Sequence, residues 1–331
     1  ELLVNVTPVR KKDWHLDFSV NMASNHSKIV KFGNGITEWQ LSGGYDGANV
    51  YAYEGGPFGI LTADVSNASR TDPKTGYPII QITDSASSTN PATKYAYAQY
   101  EYLNPPDSVR RVKIGNVEPK FTGGISANLR YKNFSLFAQV DGRFGGYVYS
   151  EAYNYAMAQG TLEASLKYRD KEHGGVERID SYTGRTRYDG AVINGVFDKD
   201  QVSPNGKDIG GMTFKEAYDQ GLIGPMKAAL YYINFFGWGT NINNNGAASK
   251  NSWVMFRELT LSYRIPTAIA SKIHFRGARI NLTARNIGYL YKTLSADQNP
   301  ESLQSNDPFR PYITGGVPFY RNYAVTLNIS L

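Results

Sequence analysis

The chain has 331 residues, enough to bury a large core, with 19% charged residues and a formal net charge of +6. The cations are spread through mixed-sign loops, with Arg10-Lys11-Lys12 and Arg110-Arg111 the only dense clusters, which argues against a nucleic-acid footprint. The absence of Cys excludes disulfides, thiolate metal sites and cysteine nucleophiles, while 25 Tyr and 33 Gly point to a β-rich chain.

From the N-terminus, Leu2, Val4 and Val6 alternate with Leu3, Asn5 and Thr7, the pattern of a strand with two unlike faces. After the polar turn Arg10–Asp13 the pattern is cleanest: Trp14, Leu16, Phe18, Val20 and Met22 against His15, Asp17, Ser19 and Asn21. A long Gly-, Asn-, Ser- and Tyr-rich segment follows, about 23–119, punctuated by short strands near 50–53 and 77–82. A third strand covers 121–131, turns at Lys132-Asn133, and returns with Phe134, Leu136, Ala138 and Val140 on one face; Phe137 breaks the alternation. A second excursion, about 142–250, holds helix-like pieces at 150–168 and 213–221, where Thr213 and Glu216 have capping-box spacing. A fifth strand, 253–265, ends at Pro266 and a sixth is expected at 278–284. After a third excursion, about 286–317, Tyr323, Val325, Leu327, Ile329 and Leu331 alternate with small or polar residues.

The connections run short, long, short, long, short, long, which places every long one at the same end of a sheet. Outer-membrane barrels have this asymmetry, with short periplasmic turns and long outside loops. The strand lengths suit the roughly 9–11 residues that cross a bilayer obliquely. No apolar run reaches the roughly 20 residues of a membrane helix, but alternating barrel strands escape that criterion. An open seven-stranded sheet would leave two unpaired edges in lipid, which is forbidden. Periodicity thus leaves two choices, a piece of a larger barrel or a soluble β-sandwich; loops of this length favour the first.

The segment Lys113-Ile114-Gly115-Asn116-Val117-Glu118-Pro119-Lys120-Phe121-Thr122-Gly123-Gly124, running into Tyr131-Lys132-Asn133-Phe134-Ser135-Leu136, resembles the SusC/RagA-type TonB-dependent transporters of Bacteroidetes outer membranes. Further matches follow in the family's order at residues 1–8, Glu54-Gly55-Gly56-Pro57-Phe58-Gly59, 145–150, Tyr168-Arg169-Asp170, 257–263, Ala284-Arg285-Asn286-Ile287 and 318–331. The resemblance implies an all-β fold, an antiparallel transmembrane β-barrel of about 22 strands around a plug. Residues 1–331 would be its C-terminal part, some seven strands with long extracellular loops, the plug domain and N-terminal strands being absent from this chain. Family members usually end on an aromatic residue, where this chain has Leu331. The implied function is import of a nutrient oligomer, an oligosaccharide in preference to a peptide, across the outer membrane. The implied partners are a SusD-like surface lipoprotein, the TonB–ExbB–ExbD complex acting through the plug, membrane lipids and lipopolysaccharide. A surface glycan-binding β-domain without transport is the alternative.

No catalytic constellation or metal-ligand spacing is present, so no enzyme activity, cofactor or metal is expected; the four His are scattered. The candidates for substrate or lid contact are loop aromatics: Tyr95, Tyr97, Tyr100 and Tyr102; Tyr153 and Tyr155; Tyr231, Tyr232 and Trp238. Their flat faces stack on sugars or side chains and the Tyr hydroxyl adds a polar tip. The bland alternative is that they pack loops, or, for Tyr147 and Tyr149 above a strand, form the membrane's aromatic girdle. Trp14, beside a tight turn, is expected at the opposite girdle. Arg130, Asp141, Arg143, Glu258, Arg264, Arg279 and Arg285, on wet faces, are expected to line the lumen and hold the plug by ion pairs.

Overall fold

The computed structural model describes residues 1–45, 47–64, 70–84, 99–102, 111–180, 183–237, 246–295, 298–315 and 318–330. Its largest element is a seven-stranded antiparallel sheet in simple sequence order. The strands are β1 (Leu2–Arg10), β2 (Trp14–Ala23), β3 (Phe121–Tyr131), β4 (Phe134–Phe144), β5 (Trp253–Ile265), β6 (Gly277–Lys292) and β7 (Asn322–Ser330). Connections 11–13, 132–133 and 266–276 close one end, and 24–120, 145–252 and 293–321 all emerge from the other.

Register turns the sequence alternation into two faces. Leu16, Leu129, Leu136, Leu261, Leu282 and Val325 stand side by side across β2 to β7. One row nearer the short turns, Trp14, Tyr131, Phe134 and Tyr263 align, with the Trp14 ring tilted 4.3 Å from Tyr131 and the Phe134 ring 4.6 Å from Tyr263. Most of these large apolar side chains are exposed, Val325 at 76% and Leu282 at 49%, and Leu16, Leu129 and Tyr263 are half-buried. Water would not tolerate a continuous patch of this size on a monomer. Among the described residues no strand pairs with the outer edge of β1 or β7, and no helix is long and apolar enough to cross a membrane.

The three long connections fold together. A meander of strands Glu38–Tyr45, Ala48–Tyr53, Phe58–Asp64 and Arg111–Asn116 packs Val50 and Leu61 against Tyr149 and Tyr312. Strand Tyr147–Ser150 lies between Ala248–Lys250 and Tyr312–Ile313, joining the second connection to the third. A separate core gathers Ile80, Phe197, Phe214, Met226 and Phe235. Three helices serve these cores: α1 (Glu151–Gln159), α2 (Phe214–Asp219) and α3 (Ala228–Phe236). The Thr213–Glu216 capping box opens α2 as its spacing predicts. The helix-like stretch 150–168 is α1 followed by a separate short turn, because Gly160 ends α1 in the left-handed region at φ 78°.

Several expectations are corrected. β6 is 16 residues long and not confined to 278–284, because Asn286, at φ 52°, and Gly288 carry the strand through an irregularity that disguises its period. The third connection accordingly begins at 293. Tyr149 is no girdle residue: it is fully buried, at 0% exposure, in the loop core. Helix α3 occupies a stretch read only as loop aromatics; its residues are apolar on nearly every side, so no amphipathic period marks it.

Candidate functional site

The second face of the sheet is polar and can be followed from the short turns toward the loops. Arg264 and Arg279 face each other across β5 and β6, with Asn328 next in β7. Asp17 then accepts from the Thr7 hydroxyl at 3.0 Å, lies 2.9 Å from His15 Nε2 and 3.6 Å from Arg130. Phe137, which broke the alternation, sits on this face between Asn128 and Thr260. One row further, Arg285 Nε donates to Glu258 at 2.9 Å and Thr260 donates to the other Glu258 oxygen. Arg130, Asp141, Arg143, Glu258, Arg264, Arg279 and Arg285 thus all lie on one face of the wall.

Near the loop end the face is organised by a residue that strict alternation hides. Arg257 should share the apolar face with Leu259. It does not, because Gln139 pairs with Glu258 and the next β4 residue, Val140, pairs with Phe256, leaving Arg257 as a β-bulge. The bulge turns its guanidinium onto the polar face. There Nε donates to Asp141 at 2.7 Å, and two nitrogens grip the Glu301 carboxylate at 2.7 and 3.1 Å. Asn286 Oδ1 accepts from the same guanidinium at 3.0 Å, so the left-handed backbone at Asn286 belongs to the same device. Tyr289 donates to Asn299 at 2.7 Å and packs edge-on to Trp253 at 6.0 Å. The signal in the sequence is two consecutive charged residues, Arg257-Glu258, inside an otherwise alternating strand, facing Asn286-Ile287-Gly288.

This clamp fastens the third connection to the wall and borders a cleft of about 840 Å³. Asn21, Thr122, Arg143, Trp253 and Glu301 also line it. Arg143 Nε and Trp253 Nε1 are buried donors with no acceptor among the described residues. The Arg257 ion pairs and these two buried donors stand beside the apolar side chains of Leu2, Leu3, Met22 and Ala23, so the cleft is mixed in character.

The aromatic candidates whose side chains are described do not line this cleft. Tyr95, Tyr97 and Trp238 lie outside the described residues. Tyr100 and Tyr102 lie in strand Gln99–Tyr102, paired with Ile79–Asp84, and their side chains are likewise outside the description. Tyr153 and Tyr155 are half-buried on α1. Tyr231 is ringed by Tyr168, Tyr232, Phe235 and Phe236, with centroids 5.0–5.9 Å away. Tyr232, at 1% exposure, is buried within the loop body; its hydroxyl is shared between the Ala164 and Lys167 carbonyls. Removal from water pushes its phenol up to about 12.

No protein-family model and no curated protein matches the chain. Solved structures do. A chain in the structure of the RagAB peptide transporter is similar with a TM-score of 0.53 and 17% identity, over 99% of this chain and 28% of that one. The RagAB peptide importer in its closed-closed and open-open states gives a TM-score of 0.51 in each case, at the same identity and coverage. At this identity the likeness shows the fold, an antiparallel barrel wall carrying a folded loop body. The chain spans just over a quarter of the length of those chains.

Proposed function

We propose that this chain is part of the wall and outer surface of a TonB-dependent importer of the outer membrane, SusC/RagA-like. Together with a SusD-like surface lipoprotein it takes up a nutrient oligomer, an oligosaccharide or a peptide. The observation that carries this is the sheet itself: one face largely exposed and apolar across every strand, the other charged, both edges unpaired among the described residues, and all long connections on one side. Such edges are satisfied in a bilayer only by closure with further strands. The charged face would then line the lumen and meet the plug through Arg130, Arg285, Glu258 and the cleft beside Arg257, with TonB–ExbB–ExbD acting on the plug. The loop body, already folded on its own cores, would seat the lipoprotein as a rigid platform.

Fractionation of the native host tests this directly. The parent protein should pellet with outer membranes, need detergent for release, migrate faster on gels before boiling than after, and co-purify with a lipoprotein. Recovery as a soluble species without detergent would overturn the importer and leave a surface glycan-binding β-domain. Growth of a deletion strain on oligosaccharide or on peptide as the only supply, against the parent strain, identifies the cargo.

A further inference from the structure

The positive charge of the wall collects at its short-turn end. The short connections and the strand ends beside them hold Arg10, Lys11, Lys12, Lys132, Lys272 and Arg276, with Asp13 as the acidic residue among them. On the polar face at this end, Arg264 of β5 stands directly opposite Arg279 of β6, and Asn328 of β7 is next to Arg279. Arg276, at the end of the third short connection, is fixed beside them by its backbone N–H, which donates to the Ser330 carbonyl at 2.8 Å. All three arginines are exposed. Together with Thr267, Asn328 and Ser330 they line an open cavity of about 430 Å³, and no acidic residue lines it. Among the described residues none of the three arginine side chains has an ion pair or a side-chain hydrogen bond.

Elsewhere on the polar face the chain matches its own charges. Arg285 pairs with Glu258, Arg257 with Asp141 and Glu301, and Asp17 with His15 and Arg130. At the turn end it does the reverse. Like charges directly opposite each other on neighbouring strands repel and destabilise the pair. The wall accepts that cost at Arg264 and Arg279 and supplies no counter-ion from the described residues. Surfaces lined by one sign of charge focus the field and concentrate the opposite ion at their mouth. Arg and Lys rings select anions in pores in this way, and passage needs a contact weak enough to release. Unpaired guanidiniums at the end of the polar face are open to such a transient partner, where an internal ion pair would be closed to it.

We infer that Arg264, Arg276 and Arg279 form an anion-selecting site for the cargo, and that the imported oligomer carries carboxylates. The inference rests on the importer reading above and narrows its cargo by charge. Of the two classes that reading allows, a peptide presents the carboxylates of Asp, Glu and its C-terminus, and an oligosaccharide those of uronic acids. The carboxylate is the anionic group the two share. A guanidinium fork matches it with two parallel N–H donors whichever backbone carries it. Asn328 adds an amide beside Arg279.

The test uses the complete parent protein in nonionic detergent, with any lipoprotein that accompanies it, and isothermal titration calorimetry. The probes are oligoglutamate and oligogalacturonate, each against a neutral counterpart of equal length, an oligoserine amide and a malto-oligosaccharide. At least one acidic oligomer should bind about 10-fold or more tighter than its counterpart, and the preference should shrink at high salt. Whichever acidic oligomer shows it identifies the cargo as peptide or oligosaccharide. Arg264→Gln/Arg279→Gln should abolish the preference and leave the neutral affinity as in wild type. Arg276→Gln, which lies in a connection outside the sheet, should lose part of it, and keeps the test decisive if the double variant does not assemble. Gel mobility before and after boiling reports that each variant still forms a barrel. Equal affinity for acidic and neutral oligomers would overturn the inference. So would a preference unchanged in the folded variants, which would assign these arginines to the plug. A parent protein absent from outer membranes would instead defeat the importer reading.

Discussion

The wall and the loop body use the same residue types in opposite ways. On the wall Leu282 and Val325 are exposed and the charged Asp141 and Arg257 are turned inward, partly buried. In the loop body Tyr149, Tyr312, Phe197 and Phe214 are sealed at 0–1% exposure; charges such as Lys215, Asp219 and Asp170 sit outside, and the one at Arg178 is buried only with Asp189 paired to it at 2.9 Å. The wall is built for a solvent that rewards exposed hydrocarbon and the loop body for one that punishes it. Two neighbouring parts of one chain thus obey two burial rules, and the glycines Gly145 and Gly146 mark the crossing between them.

The largest effect expected from breaking this contrast is in the loop body. Phe214→Ala empties a fully buried site stacked against Phe197 at 5.9 Å and should cost about 3–5 kcal/mol. Limited proteolysis should then cut within 145–252 while the boiled and unboiled gel mobilities stay as in wild type. Loss of the barrel signature would mean that wall and loop body fold as one unit.

On the wall the same logic is inverted. Leu129→Arg, in the leucine row, should cost about 2–4 kcal/mol if it lies near the bilayer centre, whereas Asn128→Arg, one residue away and opposite Asp17, should cost less than about 1 kcal/mol. Denaturant titration of the refolded barrel in lipid vesicles measures both. Equal losses would contradict the assignment of faces.

At the join between the two regions, Arg257→Met leaves Asp141 and Glu301 without their shared cation. All three groups are partly solvated, so the loss should be about 1–3 kcal/mol and local to the third connection. Hydrogen exchange at Asn299 to Ser302 should speed up, with the strand amides of β5 unchanged. Uniform acceleration would show that the bulge supports the wall and not the loop.

How much was legible follows from the range of each constraint. A strand's two faces are written in neighbouring residues, so β2, β3, β4, β5 and β7 could be read from period two, and connection lengths then placed all long loops on one side. Arg257 escaped because a bulge moves a side chain to the opposite face without changing composition. Tyr149 and Tyr232 escaped because what buries them, Tyr312 in one case and the 164–167 backbone in the other, is remote in sequence. An exposed and a buried tyrosine look alike until the loops that cover them are placed.

The smallest expected effect separates packing from recognition at Tyr232. Among the described residues the hydroxyl reaches two backbone carbonyls, at 3.1 and 3.3 Å, and the ring packs on Phe236 at 5.5 Å. Tyr232→Phe keeps the ring and removes the shared hydrogen bond, a loss of about 1 kcal/mol at neutral pH. The phenol also leaves a pH signature. Burial holds its pKa at about 12 against an ordinary 10.0. The folded loop body keeps this proton where an unfolded tyrosine has released it, so the stability from this group is intact below about pH 10 and declines as the pH climbs toward 12. Thermal unfolding of the loop body, followed by tyrosine fluorescence across that window, should show the decline in wild type and a flatter profile in Tyr232→Phe. Because the ring is buried, lipoprotein co-purification should be unchanged in the variant. A folded variant that loses the lipoprotein would return Tyr232 to the lid interface and require the loop body to open on binding.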